Sequence, residues 1–579
     1  MPTNKKLRFT SDADRQAMNW LVWGGSLVSL SFWSNLNDPF NAPKSWILSI
    51  SGFWLLGWVI FQVKARWEQK PLKWATVFAT AYLITMSLAL VASDNKYIGM
   101  FGDYQRRTGY LSYLCLITFF LAASFLFDLK KLAKLNSAAV IVGFLVGIYG
   151  FAQHFKHDFI QWNNPYNSVL STLGNPDFAA ALMAIFSVLN FGILIQQKNA
   201  KWLRVLAGIN ILLLLVVIVF SQVRQGLVAA LVGIAIILIV WIHQRNSFAG
   251  YGAGGLGVFA GVLGLIGMLN IGPLSKYFYK ISVTYRGDYW RAGWRMFIHH
   301  PIFGVGLDRY GANFRQYRDT TQVVRRGPDL VSNAAHNVPI QLASTGGILV
   351  LSAFLAFTGF VLWRGIICIR KTAGAEQIAV TVIFAAWVAY ELQSLISIDN
   401  LGIAIWGYIL GGVVVGISLT SEHVSTKQVK DWIIQPLVSS VLALSLLIIS
   451  LLFLQTETAM KTLISAQPPR AQSDLAAYES LAQKPLSYTF TEPSFAVAAA
   501  GELAQVQDFG LATTILQRTI ASNPRSYDAM NILAQIYEYQ KNWQGAYEIR
   551  REMVELDPFN EALHAQLDQD QKSKVVRAP

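Results

Sequence analysis

Long apolar runs recur along most of the chain, and short polar segments separate them. A bilayer core about 30 Å thick needs about 20 mostly apolar residues for each helical crossing. The pattern therefore predicts an all-α fold, a polytopic helical membrane protein with about thirteen transmembrane helices. The predicted spans are 18–33, 45–63, 74–92, 109–127, 138–152, 178–195, 203–220, 227–242, 253–271, 338–363, 378–396, 401–419 and 433–454.

Composition agrees with a membrane setting, because 54% of the 579 residues are hydrophobic and only 14% are charged. Soluble domains carry about 25% charged residues. The two cysteines, Cys115 and Cys368, lie in or beside apolar runs and predict neither a disulfide framework nor a cysteine metal site. The net charge of +14 could suggest a nucleic-acid partner. Basic loops have a simpler origin in the positive-inside rule, so no nucleic-acid partner is predicted.

The placement of basic residues predicts the orientation in the membrane. If residues 1–17 are cytoplasmic, alternate short loops should also be basic. The loops that satisfy this rule carry Lys64/Arg66/Lys70/Lys73, Lys130/Lys131/Lys134, Lys198/Lys201/Arg204, Arg245, Arg364/Arg370/Lys371 and Lys427/Lys430. Thirteen crossings then place the segment 455–579 outside the cytoplasm, after a membrane domain that spans 18–454. If any one of these spans did not cross the membrane, the segment 455–579 would instead lie in the cytoplasm.

The loop 273–335 breaks the trend, because it is predicted to be extracytoplasmic and yet carries ten basic residues against four Asp. Long loops translocate largely regardless of charge, so the excess could be solvated or could meet lipid headgroups. It could equally bind a polyanion such as a diphosphate, for which guanidinium groups supply paired donors. The basic residues are Lys276, Lys280, Arg286, Arg291, Arg295, Arg309, Arg315, Arg318, Arg325 and Arg326.

Two further residues are candidates for chemistry near the membrane boundary. Arg224 lies between two apolar spans, where it could either snorkel to headgroups or serve a site. His336 opens the next apolar run, where an imidazole could act as a hydrogen-bonding support or as a general base. The outer loops contain no Asp-x-Asp, Gly-x-Ser-x-Gly or His-Glu-x-x-His motif. Metal-assisted hydrolysis and serine chemistry therefore have little support, and neither a metal nor a cofactor is predicted.

Five strings together resemble the O-antigen ligase/polymerase superfamily. The string RGDYWRAGWRMFIHHPIFGVGLDRY, which begins at Arg286, resembles the signature region of that family, and AHNVPIQLASTGGI at 335–348 resembles its His-Asn element. Further support comes from SQVRQG at 221–226, FGDYQRRTGY at 101–110 and STLGNPDFAAAL at 171–182. The resemblance extends over about residues 18–420.

This resemblance implies a membrane glycosyltransferase of the C-type class. The reaction would be a metal-independent, inverting transfer of a glycan from a polyprenyl diphosphate carrier to a hydroxyl of a glycan, lipid or protein acceptor. The resemblance makes His336, Arg286 and Arg224 the expected catalytic residues. The other residues expected to bind substrate are Arg291, Arg295, Asn337, Arg106, Arg107 and Trp290. The implied location is the bacterial cytoplasmic membrane, with the active site on the extracytoplasmic side.

The segment after 454 is rich in Ala, Gln and Glu with helical periodicity. Asn523-Pro524 and Asp557-Pro558 are 34 residues apart, which is typical of tetratricopeptide-like repeats over about 494–565. We expect an extracytoplasmic helical domain that serves either as a docking surface for a protein partner or acceptor, or as a structural lid.

Alternatives to a ligase or polymerase stay open from sequence alone. Transfer to protein would use the same donor chemistry. A lipid-glycan transporter should carry charged residues within several spans, whereas these spans are nearly free of charge apart from Glu391. A scaffold whose repeats carry the function would tolerate replacement of His336 and Arg286.

Overall fold

The computed structural model describes residues 12–162, 169–419, 434–469 and 474–576. Lys5, Lys6 and Arg8 of the predicted cytoplasmic segment 1–17, and Lys427 and Lys430 of a predicted basic loop, lie outside these ranges. Within them the fold is all-α without a strand, as predicted. The helices are α1 (Asp12–Asn19), α2 (Gly25–Leu30), α3 (Asn41–Arg66), α4 (Lys70–Ala92), α5 (Lys96–Phe101), α6 (Tyr110–Leu126), α7 (Leu132–His154), α8 (Pro176–Ile195), α9 (Lys201–Phe220), α10 (Arg224–Arg245), α11 (Ser247–Met268), α12 (Ser275–Phe278), α13 (Ile281–His299), α14 (Tyr310–Tyr317), α15 (Thr320–Arg326), α16 (Val338–Lys371), α17 (Gly374–Ser394), α18 (Leu401–Ile417), α19 (Ile434–Ser465), α20 (Leu475–Gln483), α21 (Pro493–Gln505), α22 (Phe509–Ser522), α23 (Tyr527–Tyr539), α24 (Trp543–Leu556) and α25 (Glu561–Val576).

Each predicted apolar run corresponds to a helical segment. In the described ranges, ten helices are long and apolar enough to cross a membrane, and α6 and α18 are shorter apolar helices. The first predicted span is formed by α1, a π-helical turn at Trp20–Gly24, and α2. A polytopic helical membrane protein is therefore confirmed.

The centre of the bundle is built around α18, in which every residue from Leu401 to Ile417 is buried. Small residues let its neighbours approach closely, as is common between membrane helices. A Cβ added at Gly412 would lie 2.2 Å from the carbonyl oxygen of Phe120 in α6. By contrast, the glycine-rich helix α11 is largely exposed and packs on α10 and α12. The core thus lies on the side of the bundle away from α11.

A helix break inside α16 fixes the loop that follows α13. Gly347 has a φ of +72°, and a Cβ there would lie only 2.1 Å from the carbonyl oxygen of Ile302. The backbones on either side are tied by two hydrogen bonds, Val305 N to Ser344 O at 2.8 Å and Ile348 N to Pro301 O at 2.7 Å. The His-Pro-x-x-Gly-x-Gly string at 300–306 therefore holds the end of α13 against α16 through backbone hydrogen bonds.

The carboxy-terminal segment is helical, as expected, and each of the helices from α20 to α25 packs on the next. Helix α19 continues to Ser465, past the predicted boundary at 454. The buried guanidinium of Arg107 joins this region to the membrane domain. It pairs with Asp38 at 3.4 Å, Glu457 at 2.5 Å and Glu492 at 3.2 Å. The assignment of the helices to tetratricopeptide-like repeats stays a prediction.

Candidate functional site

His336 lies in the turn between α15 and α16, with a backbone φ of +52°. Two aromatic residues of α13 hold this turn. The indole Nε1 of Trp290 donates to the carbonyl oxygen of His336 at 3.4 Å, and the Tyr289 ring centroid lies 5.3 Å from the imidazole centroid. In the described part of the chain, no hydrogen bond reaches the imidazole nitrogens. The ring is therefore positioned by packing, and its nitrogens stay available to a substrate.

Asn337 anchors His336 to the membrane bundle. Its side-chain oxygen accepts a hydrogen bond from the backbone N–H of Ile340 at 2.9 Å, which caps the start of α16. Its amide nitrogen donates to the carbonyl oxygen of Leu395, after α17, at 2.8 Å. Both polar ends of the predicted substrate-binding residue are thus engaged within the protein, and this geometry gives Asn337 a positioning role.

Arg286 extends from α13 toward the starts of two membrane helices. Its Nη2 donates to Oε1 of Gln225, the second residue of α10, at 3.0 Å. The same atom lies 3.6 Å from a carboxylate oxygen of Asp177 near the start of α8. The side chain is 16% exposed. Arg286 therefore lies at a meeting point of three helices and still reaches solvent.

Arg224 is the first residue of α10 and adjoins Gln225, the partner of Arg286. It is exposed, and its Nη1 donates to the carbonyl oxygen of Tyr277 at 2.6 Å. In the preceding turn, Gln222 has a φ of +58° and accepts a hydrogen bond from Lys280 Nζ at 3.0 Å through its carbonyl. Arg224 is thus adjacent in sequence to the residue that binds Arg286. The guanidinium of Arg224 has no carboxylate partner in the described residues.

Burial and the nearby cations both disfavour the protonated form of His336. Burial, the largest cause, and the nearby guanidinium groups of Arg286, Arg106 and Arg326 together lower the pKa of His336 to about 4. Burial also lowers the pKa of Arg286, against the opposing effect of Asp177. The imidazole is therefore neutral at physiological pH. A bound anion would offset the field of the arginines and raise the pKa of the imidazole.

The two arginines of the string FGDYQRRTGY have internal partners. Arg106 is buried and forms an ion pair with Asp308, which also accepts hydrogen bonds from Thr108 and from the backbone of Asp103. Arg107 pairs with the carboxylates of Asp38, Glu457 and Glu492. Their predicted role in substrate binding stays a prediction, and their observed contacts are structural.

Arg291 and Arg295 point along α13 toward α14 and α15. Arg291 pairs with Asp288 and, at 2.9 Å, with Asp319 at the start of α15. Arg295 donates to the carbonyl oxygens of Tyr317 and Arg318, at the end of α14, at 3.4 and 3.2 Å. These two predicted substrate-binding residues therefore brace the loop, whereas Arg286, Trp290, Asn337 and His336 come together.

Sequence reasoning did not single out several residues of this region. Gln225 and Asp177 contact Arg286, although both lie in strings that carried the resemblance. Tyr289 packs on His336 and accepts a hydrogen bond from Arg326. The available signal was the aromatic content of α13, but spacing along one helix does not reveal which ring faces a histidine 47 residues later.

The comparison with protein families agrees with this geometry. Residues 209–355, about a quarter of the chain, match the family model described as O-Antigen ligase. The matched segment extends from α9 into α16 and includes Arg224, Arg286 and His336. No curated protein matches the chain. The match over residues 209–355 supports the O-antigen ligase superfamily, and with it ligase-type glycan transfer from a lipid-linked donor in a membrane setting.

Proposed function

We propose that this protein transfers a glycan from a polyprenyl diphosphate carrier to an acceptor hydroxyl, without a metal and with inversion at the sugar. The observation that carries the proposal is the convergence of Arg286 and the imidazole of His336 at one end of the helix bundle, beside the start of α10. This end would face the extracytoplasmic side, because the basic loops 64–73, 130–134 and 198–204 follow the opposite ends of the helices.

The arginines would bind the leaving group. Negative charge grows on the diphosphate as the glycosidic bond breaks, and fixed guanidinium groups stabilise that charge without reorganising. Arg286 is restrained by Gln225 and Asp177 and is mostly shielded from water, which strengthens its interaction with an anion. Arg224, one residue before Gln225, would contact the same diphosphate from the exposed side.

His336 would act as general base toward the acceptor. The acceptor oxygen attacks the anomeric carbon from the face opposite the carrier, and its proton moves to a ring nitrogen of His336. The new carbon–oxygen bond forms as the bond to the diphosphate breaks, and the electron pair of that bond stays on the diphosphate oxygen. A neutral imidazole can accept this proton, and the bound diphosphate would bring its pKa closer to the working pH.

The acceptor hydroxyl distinguishes the classes of enzyme that use this donor. A ligase, a polysaccharide polymerase and a protein O-oligosaccharyltransferase share the donor chemistry and differ in the hydroxyl that is presented to His336. We propose a glycan or lipid hydroxyl as the acceptor, because the family match is to O-antigen ligase.

The test is reconstitution in liposomes with a polyprenyl diphosphate oligosaccharide and a panel of glycan, lipid and protein acceptors. We expect equimolar formation of glycosylated acceptor and free polyprenyl diphosphate, undiminished by EDTA, with the anomeric configuration of the product opposite to that of the donor. Loss of transfer in EDTA or retention of configuration would contradict the mechanism. Movement of the intact donor across the bilayer without transfer would instead indicate a transporter.

A further inference from the structure

Arg325 and Arg326 are neighbours in α15 but have different surroundings. Arg325 pairs with both carboxylate oxygens of Asp288, at 2.8 and 2.6 Å. Arg326 lies over the ring of Tyr285 at 4.2 Å and donates to the hydroxyl of Tyr289, which packs on His336. No carboxylate within the described ranges pairs with Arg326. Its charge therefore stays unneutralised beside the imidazole, between aromatic walls.

The backbone just after Arg326 is held by two other arginines of the loop. Arg318 and Arg315 both donate through Nη1 to the carbonyl oxygen of Pro328, at 2.8 and 3.0 Å. Pro328 follows Arg326 by two residues, across Gly327 with a φ of +86°. The position of Arg326 thus depends on how Arg315 and Arg318 are fixed.

Both of these arginines are fixed by the carboxy-terminal helices. Arg318 donates through Nη2 to both carboxylate oxygens of Asp557, at 2.7 and 2.9 Å, and Arg315 Nη1 lies 3.3 Å from the same carboxylate. Arg318 and Asp557 are buried, with exposures of 1% and 0%. Arg315 also lies over the ring of Tyr527 at 4.0 Å. We define Arg315, Arg318, Pro328 and Asp557 as the interdomain lock.

Two more contacts place the same helices against the loop. Arg309 donates to Asp94 and to the side-chain oxygen of Asn523, both at 3.1 Å. Arg525 donates to Gln316 at 2.6 Å. The carboxy-terminal helices therefore contact the arginine-rich loop at several points, and three of the loop's basic residues, Arg309, Arg315 and Arg318, take part.

We propose that Asp557, through the interdomain lock, is a positioning residue that holds Arg326 beside His336, where Arg326 binds the diphosphate of the donor. The carboxy-terminal region then completes the donor site from outside the segment that matches the family. This inference rests on the proposed function, since it assigns Arg326 to the same lipid diphosphate.

The test measures binding of sugar-free polyprenyl diphosphate to the full-length protein in nanodiscs, with polyprenyl alcohol as the reference for the lipid chain. A charge-assisted hydrogen bond is typically worth a factor of about ten or more in affinity. We expect Arg326→Gln and Asp557→Asn each to weaken binding of the diphosphate about tenfold, with unchanged binding of the alcohol. The double variant should be no weaker than the poorer single variant, because Asp557 acts through Arg326.

The matched control is Asp570→Asn, which removes another buried carboxylate from the same helical region. Asp570 pairs with Arg550 between α24 and α25, and among the described residues it forms no hydrogen bond or ion pair with the loop. We expect parental binding from this variant. If Asp557→Asn unfolds, Arg315→Gln provides a milder opening of the lock, because Arg315 is at its edge with 13% of its side chain exposed.

The outcomes separate this inference from the proposed function. Parental diphosphate binding by Arg326→Gln, additive losses in the double variant, or an equal loss in Asp570→Asn would overturn the inference, even if His336 and Arg286 prove essential. Full glycan transfer by variants of both His336 and Arg286 would overturn the proposed function instead.

Discussion

Replacement of His336 by alanine is expected to lower the rate of glycan transfer by about two to four orders of magnitude, the usual contribution of a general base. Affinity for the donor should change little, because the imidazole is neutral and the arginines supply the anion contacts. Single-turnover transfer at saturating donor measures the first effect. Binding of polyprenyl diphosphate measures the second.

The pH dependence provides the control for this variant. In the parent, protonation of His336 should remove activity as the pH falls through the pKa of the imidazole, which is about 4 in the free protein and higher with the anion bound. The acid limb should therefore lie at higher pH in kcat, which reports the bound state, than in kcat/KM. His336→Ala should lack this limb. A parental rate, or an unchanged limb in the variant, would exclude His336 as the base.

Replacement of Arg107 by methionine is expected to cause the largest loss of stability, about 3–5 kcal/mol, because it leaves a buried cluster of carboxylates without its cation. The midpoint of thermal unfolding in detergent should fall accordingly. Arg15→Met is the control, since Arg15 pairs with Asp12 on an exposed surface, where ion pairs contribute little.

The loss in Arg107→Met should also depend on pH. Burial raises the pKa of Glu492 to about 7. The guanidinium of Arg107 stabilises the ionised carboxylate and offsets this rise only in part. A carboxyl group with a raised pKa binds a proton in the folded state that the unfolded chain releases above about pH 4.5. Stability from this group therefore falls as the pH rises through that window. Without Arg107 the pKa of Glu492 should rise further, so Arg107→Met should lose more stability at pH 8 than at pH 5. An equal loss at the two pH values would contradict this account.

The membrane helices could be predicted from sequence because the bilayer imposes a length on each apolar run. Residues 203–220 and 401–419, for example, correspond to α9 and α18 within two residues. The break at Gly347 could not be predicted in this way, since 338–363 reads as one apolar run. Its cause is tertiary, because the backbone at Ile302 comes too close for any side chain.

The arginine-rich loop shows the limit of sequence reasoning for the site. A list of ten basic residues predicts an anion site, but it does not reveal which charges are already neutralised. Within the loop Arg318 pairs with Asp557, which is 239 residues away, and outside the loop Arg107 pairs with Glu457, which is 350 residues away. Only the fold separates these structural pairs from Arg286, Arg224 and Arg326.

The most direct test of the central claim is the rate at which polyprenyl diphosphate is released in a single turnover by Arg286→Ala, with Arg286→Lys and the parent alongside. A fixed guanidinium that stabilises the departing diphosphate predicts a fall of about two to three orders of magnitude for alanine and partial recovery for lysine, which keeps the charge but loses the paired donors. Release of the carrier at the parental rate by Arg286→Ala would contradict the account.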